Sequence, residues 1–296
     1  MKIISLTLFA ILALIACRNK ESQNDASGSF EAVETIVSAE ASGSIKVLNL
    51  EEGQTLQTGQ IVGYIDSVQL FLKKKQLQAQ VNAVLSKSPD IGAQTASLQE
   101  QLRQAEREQR RTANLVKEDA ATRKQLDDVN SQIAVIKKQI SAQRSSLGIT
   151  SSSLIEETVP LNVQIQQLND QIKKCRIINE VKGTVLTKYA EVNEVTAVGK
   201  PIYKIADLSS IILRAYITGE QISEVKPGQQ VKVLVDDANN TYKTYPGTIE
   251  WISNKAEFTP KTIQTKDERA NLVYALKVRV NNDGFLKIGM YGELKF

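Results

Sequence analysis

The chain of 296 residues contains no histidine. That removes the commonest general base, the commonest metal ligand and every Ser/His or Cys/His catalytic arrangement. Cysteine is almost as scarce, at two, so no disulfide framework holds the fold. Aromatic residues make up only 5% of the chain, little for a large globular core but enough for long helices packed through aliphatic side chains. Charge is nearly balanced at +4, which argues against a dedicated nucleic-acid binder. There is no Gly-x-Ser-x-Gly, no phosphate-cradling loop and no Cys/His metal spacing. The expectation is a protein with no catalytic residues, no metal and no cofactor.

What is present is a split repeat. The stretches 39–66 and 179–206 align without a gap at a constant offset. Gly43 falls on Gly183, Ile45 on Val185, Gly53 on Asn193, Gly59 on Gly199, Val62 on Ile202 and Ile65 on Ile205. Asn tolerates the left-handed backbone best after Gly, so Asn193 preserves the turn that Gly53 makes. Two half-modules of short strands and tight turns therefore flank a long insert rich in Gln, Lys, Glu and Leu.

The insert reads as two antiparallel helical arms. In the first, about 68–117, Leu70, Leu77, Val81, Val84, Thr95, Leu98, Leu102 and Thr112 fall on a seam with steps of four and three. The return arm, about 122–177, continues it with Leu126, Val129, Ile133, Ile136, Ile140, Leu161, Ile165, Leu168 and Ile172. Each arm spans roughly 70 Å at about 1.5 Å per residue. Both carry an expected break at one height: Ser88-Pro89-Asp90, with Ser88 as cap, and Gly148, after which Ser153 and Glu156 restart a helix. The tip falls at Lys117-Glu-Asp-Ala-Ala121, followed by a Thr122/Gln125 capping box. Asp66 or Ser67 is expected to open the first arm, Gln69 closing a box with Asp66. Cys175 falls on the seam and reads as a small buried apolar residue, while Lys73-Lys-Lys75 reads as a solvated face.

Residues 1–17 have the form of a secretory signal: Lys2, then an apolar run Ile3–Ile15 too short to span a membrane comfortably. It ends in Leu14-Ile15-Ala16-Cys17, similar to the bacterial lipobox, which makes Cys17 the expected lipidation site. Residues 18–28 read as a flexible tether. After the second half-module, segments at 211–217, 230–235, 245–252, 273–280 and 291–296 alternate with turns, which suggests an antiparallel barrel over 208–296. The polar stretch 256–270 reads as a β-hairpin excursion or a partner-contacting loop.

The expected fold class is thus α+β multidomain. A split lipoyl-like β-module (29–66 and 178–207) is interrupted by a coiled-coil hairpin (67–177), and a β-barrel follows. This order resembles the HlyD-type periplasmic adaptor, or membrane fusion protein, family over essentially the whole mature chain. Ala41-Ser-Gly-Ser-Ile-Lys-Val-Leu-Asn-Leu-Glu-Glu-Gly-Gln-Thr-Leu-Gln-Thr-Gly-Gln60 is similar to the family's lipoyl-type signature. Phe258-Thr-Pro-Lys-Thr-Ile-Gln-Thr265, with Asp267-Glu-Arg269 and Leu272-Val-Tyr274, resembles adaptors that serve ABC-type exporters. Hairpins of the family that dock on TolC-type outer-membrane channels carry Arg, Leu four on and Ser seven further. Arg111, Leu115 and Thr122 hold that spacing, with Thr in place of Ser. Taken singly, Arg111 also reads as a solvated charge, Leu115 as a staple of the turn and Thr122 as a cap.

The resemblance implies an energy-passive adaptor anchored at the inner membrane, assembled as a homo-oligomeric, hexameric ring. It would link an inner-membrane exporter, ABC-type in preference to RND-type, to an outer-membrane channel. The chain offers no stretch for the membrane-proximal domain usual in RND adaptors. A lipoyl or biotin carrier is excluded, because about 110 residues stand where its modifiable lysine turn would lie. The remaining alternative is a coiled-coil envelope scaffold lipoprotein that forms no conduit.

Overall fold

The computed structural model describes residues 25–238, 241–258 and 272–296. The expected signal sequence, Cys17 and most of the expected tether lie outside the described residues, as does all of the stretch 259–271, which holds most of the motif similar to ABC-exporter adaptors. Among the described residues no helix is long and apolar enough to cross a membrane.

The chain opens with β1 (Ala26–Glu31) and β2 (Glu34–Ser38), followed by β3 (Gly43–Leu48), β4 (Thr55–Leu56) and β5 (Gln60–Ile65). Three helices come next: α1 (Val68–Leu85), α2 (Ile91–Lys117) and α3 (Arg123–Lys174). The second β half holds β6 (Arg176–Asn179), β7 (Gly183–Lys188), β8 (Val195–Thr196) and β9 (Pro201–Ala206). The last part holds β10 (Ser210–Thr218), β11 (Gln230–Asp237), β12 (Thr241–Ile252), β13 (Glu257–Phe258), β14 (Leu272–Asn281) and β15 (Tyr291–Lys295).

Strands from both sides of the helices interleave in two four-stranded sheets, ordered β2-β9-β7-β4 and β6-β5-β3-β8. Neither half could make its sheets alone. Their shared core is Ile45, Leu56, Val62, Ile65, Val185, Ile202, Tyr203 and Ile205. The turns repeat as the sequence repeats. Gly53, Gly59, Asn193 and Gly199 all have φ between 73° and 84°. In three of these turns the residue after the left-handed position accepts a bond from the amide three residues back: Glu51 to Gln54 Oε1 at 3.1 Å, Gln57 to Gln60 Oε1 at 3.0 Å, and Glu191 to Glu194 Oε2 at 3.2 Å. Lys226 donates likewise to Gln229 Oε1 in the barrel. Asn179 pins the halves together: its amide donates to the Gln57 carbonyl at 2.9 Å and its oxygen accepts from Tyr203 Oη at 2.9 Å. Burial raises the Tyr203 phenol to about 12, so it stays a donor at any ordinary pH.

The barrel closes in the order β10-β1-β15-β11-β12-β14, with β14 pairing back onto β10 and β13 added outside β14. The expected boundaries therefore shift. Residues 26–31, read as the end of the tether and the start of the first half-module, are a barrel strand. Sequence patterning could not show this, because β1 (Ala-Ser-Gly-Ser-Phe-Glu) contributes one large apolar side chain, Phe30. Gly28 is needed there: a Cβ on it would lie 1.9 Å from the Arg214 carbonyl oxygen. At the other boundary, residues 176 and 177 belong to β6 rather than the hairpin.

Two expected helix features are corrected. The first arm breaks at 86–90, but its cap is Asp90, whose carboxylate accepts from the Ala93 amide at 3.0 Å, and Ser88 is not the cap. Ser88 instead faces the other arm, its hydroxyl 3.1 Å from that of Ser151. The return arm has no break at all. It runs 52 residues through both Gly148 and Pro160. A lone Gly costs about 1 kcal/mol in a helix and a Pro about 3 kcal/mol, which packing against α1 and α2 outweighs. The base also differs from expectation. Ser67 makes no side-chain cap, and Asp66 accepts from the Val68 amide at 3.0 Å without a box to Gln69. Cys175 caps the end of α3 and packs in the core of the two sheets, where burial pushes its thiol up and its Sγ lies 3.3 Å from the Gln171 carbonyl. It is a buried small residue, though not one of a helix seam.

Candidate functional site at the hairpin tip

The helical arms are antiparallel, with their far end at the turn 118–122. Three contacts fix the register: Ser88 with Ser151, Gln109 Nε2 to Asn130 Oδ1 at 2.7 Å, and Lys137 Nζ to Glu106 Oε1 at 3.4 Å. All three are nearly equidistant in sequence from Ala120. Of the buried helix residues, Leu77, Thr95, Thr112, Ile133, Ile136, Ile140 and Leu168 lie on the expected seam and Thr158 does not.

The tip is built by two caps that meet. α2 ends in a Schellman motif: the Ala120 amide donates to the Leu115 carbonyl at 2.8 Å and the Asp119 amide to Val116 at 3.2 Å. Asp119 takes the left-handed position at φ 56°, a place more often given to Gly. α3 then begins with the Thr122/Gln125 capping box, both halves of which form. The Gln125 amide reaches Thr122 Oγ1 at 3.3 Å and the Thr122 amide reaches Gln125 Oε1 at 2.8 Å.

Arg111 and Leu115 stand one turn apart and share a face of α2. The Arg111 guanidinium is exposed and donates to Glu108 Oε1 at 2.8 Å. Leu115 keeps 40% of its surface open to solvent, a large apolar side chain left uncovered beside the turn. Thr122 lies across the turn, exposed, with its hydroxyl in the cap. The structure thus places two of the three residues side by side and the third on the opposite helix start. Glu108, the ionic partner of Arg111, had no distinguishing signal in the sequence beyond its i,i+3 spacing. The tip offers exposed contact surface. Among the described residues no group of three or more His, Cys, Asp or Glu is placed to hold a metal ion.

No protein-family model matches the chain. It is 24% identical to the UPF0194 membrane protein of Yersinia pseudotuberculosis, in an alignment covering 99% of this chain and 97% of that one. A shorter match of 121 residues, 33% identical, covers 40% of this chain and 36% of the UPF0194 membrane protein YbhG of Salmonella gallinarum. Among solved structures it is similar to MacA from Actinobacillus actinomycetemcomitans, with a TM-score of 0.54 at 21% identity, over 91% of this chain and 76% of that one. The periplasmic adaptor protein EmrA matches with a TM-score of 0.50 at 16% identity, over 92% of this chain and 97% of that one. The chain has the fold of periplasmic adaptor proteins, a β-barrel with an α-helical hairpin.

Proposed function

We propose that the chain is a periplasmic adaptor linking an inner-membrane exporter to a TolC-like outer-membrane channel. The observation that carries this reading is the hairpin: a doubly capped tip, where α2 leaves Leu115 exposed, stands at the far end of an unbroken α3 roughly 78 Å long at about 1.5 Å per residue. A two-helix projection of that length buries few large side chains, so its reach is better explained by a partner than by the fold's own stability.

In this reading the two interleaved sheets are a lipoyl-like module, the arms are a coiled coil, and copies assemble into a hexameric ring. Cys17 carries the lipid that holds the chain at the inner membrane. Arg111, Leu115 and Thr122 dock on the channel. The exporter is ABC-type, on the resemblance of residues 258–274, and supplies the energy. A photo-crosslinker at Leu115 in native envelopes tests the reading. Capture of an outer-membrane channel subunit is the expected result. Capture of other copies alone, or of unrelated envelope proteins, favours a scaffold lipoprotein. Arg111→Asp should abolish export at unchanged abundance, and normal export in that variant removes the docking role.

A further inference from the structure

The barrel has two unlike ends. β1 leads out of it into β2, and β9 leads back into β10, so the two-sheet module and the hairpin attach where β1 ends and β10 begins. At the opposite, free end β1, β11 and β14 begin and β10, β12 and β15 finish, as the antiparallel pairings require. The chain that precedes β1 arrives at this free end. Eight residues lie between Cys17 and Ala26, and the nine steps of chain reach at most about 32 Å when extended.

The free end is not finished like the rest of the barrel. Trp251, the single tryptophan of the chain, is the penultimate residue of β12 and 42% exposed. A regular strand would point it the same way as Ile249, which is fully buried in the barrel. A β-bulge between Ile249 and Trp251 shifts the register and turns the indole out to water. Leu272, the first residue of β14, is 52% exposed at the same end. Lys232 and Lys295 stand directly opposite each other on β11 and β15, an arrangement that repels. Neither they nor Lys226 and Lys255, in the adjoining turns, form an ion pair among the described residues. Glu220 and Glu224 are the acidic residues of the neighbouring connection.

We propose that this free end is a membrane-contact surface that rests on an anionic phospholipid bilayer. Trp251 and Leu272 enter the interfacial region, where an indole with one apolar and one polar side is favoured. The four lysines face lipid phosphates, which relieves the Lys232/Lys295 repulsion. The short tether then holds the barrel against the surface with the hairpin directed away from it. The proposal rests on the lipid anchor at Cys17 assigned under the proposed function.

The single tryptophan makes the test direct. The lipidated full chain is reconstituted in anionic phosphatidylglycerol vesicles with brominated acyl chains. Its fluorescence is read with and without aqueous iodide, and Trp251→Phe confirms the source of the signal. The expected result is emission quenched by the brominated lipid and shielded from iodide, with both effects lost in Lys232→Glu/Lys295→Glu although the protein still floats with the vesicles. Vesicle-bound protein whose Trp251 is unquenched and open to iodide overturns the contact surface and leaves the anchor standing. Protein that does not float with vesicles overturns both. Quenching or shielding that appears only after an exporter is co-reconstituted overturns the lipid assignment in favour of a protein surface.

Discussion

The β body and the hairpin are built on opposite terms. Every one of the largest fully buried side chains, from Tyr203 and Phe30 to Leu276 and Leu286, belongs to the two-sheet module or the barrel. Between Val68 and Lys174 burial is confined to a thin line of Leu77, Ile133, Ile136, Ile140 and Leu168 with three threonines. Aliphatics such as Ile149, Ile155, Val159 and Val163 remain open to water on α3. The body has packed cores in which side chains such as Ile45, Leu56, Ile205, Leu213 and Ile249 are fully buried. The hairpin is held by a one-sided contact, helix propensity and caps. Stability is therefore concentrated in the body and reach in the hairpin, and substitutions of the same kind should cost different amounts in the two.

The sharpest way to break that comparison is a matched pair of isoleucines. Ile205→Ala, fully buried between the two sheets, should cost about 4 kcal/mol, because the sheets cannot collapse onto the cavity. Ile136→Ala, on the line between α2 and α3, should cost about 2 kcal/mol, since two helices flanked by water can close up. Urea unfolding followed at Trp251 for the body and by circular dichroism for the helices separates the two. Equal losses would mean that the hairpin is as tightly packed as the body. Gly28→Ala should rank between them at roughly 3 kcal/mol, because its Cβ meets the Arg214 backbone rather than a side chain that can move away.

How much of this was readable follows the same division. The module was visible because its turns use a residue type with a physical reason at each place: Gly53, Gly59, Asn193 and Gly199 are the four left-handed positions of the repeat. The tip was visible because Thr122 and Gln125 make a cap with a fixed spacing. β1 was not, because it gains its place from Gly28 and a single phenylalanine, and its partners β10 and β15 lie far along the chain. The continuity of α3 was not, because Gly148 and Pro160 are breakers only by local preference. The candidate tip was readable as residue types and spacing. The Glu108 partner of Arg111 and the left-handed Asp119 were not, since each is set by local geometry that many sequences allow.

The tip supplies the next prediction, where a structural role and the proposed recognition role share one residue. Thr122→Ala removes the hydroxyl that accepts from the Gln125 amide and should cost the hairpin about 1 kcal/mol. Thr122→Ser keeps the hydroxyl and should be nearly neutral for folding. If export falls in both variants, the methyl group is needed by the partner. If it falls only in Thr122→Ala, the cap is what the tip requires.

The smallest effect is the most direct probe of the continuous arm. Gly148 lies inside α3 with an ordinary helical backbone, and a Cβ added there meets nothing within 4 Å. Gly148→Ala should therefore stabilise the helices by about 0.8 kcal/mol through backbone entropy alone. The gain should appear in helix unfolding and be absent from the Trp251 transition of the body. A loss of stability would mean that α3 bends or opens at this height in solution, opposite the break in the other arm. Then the two arms would share a hinge, and the hairpin would transmit motion rather than simply extend the body's reach.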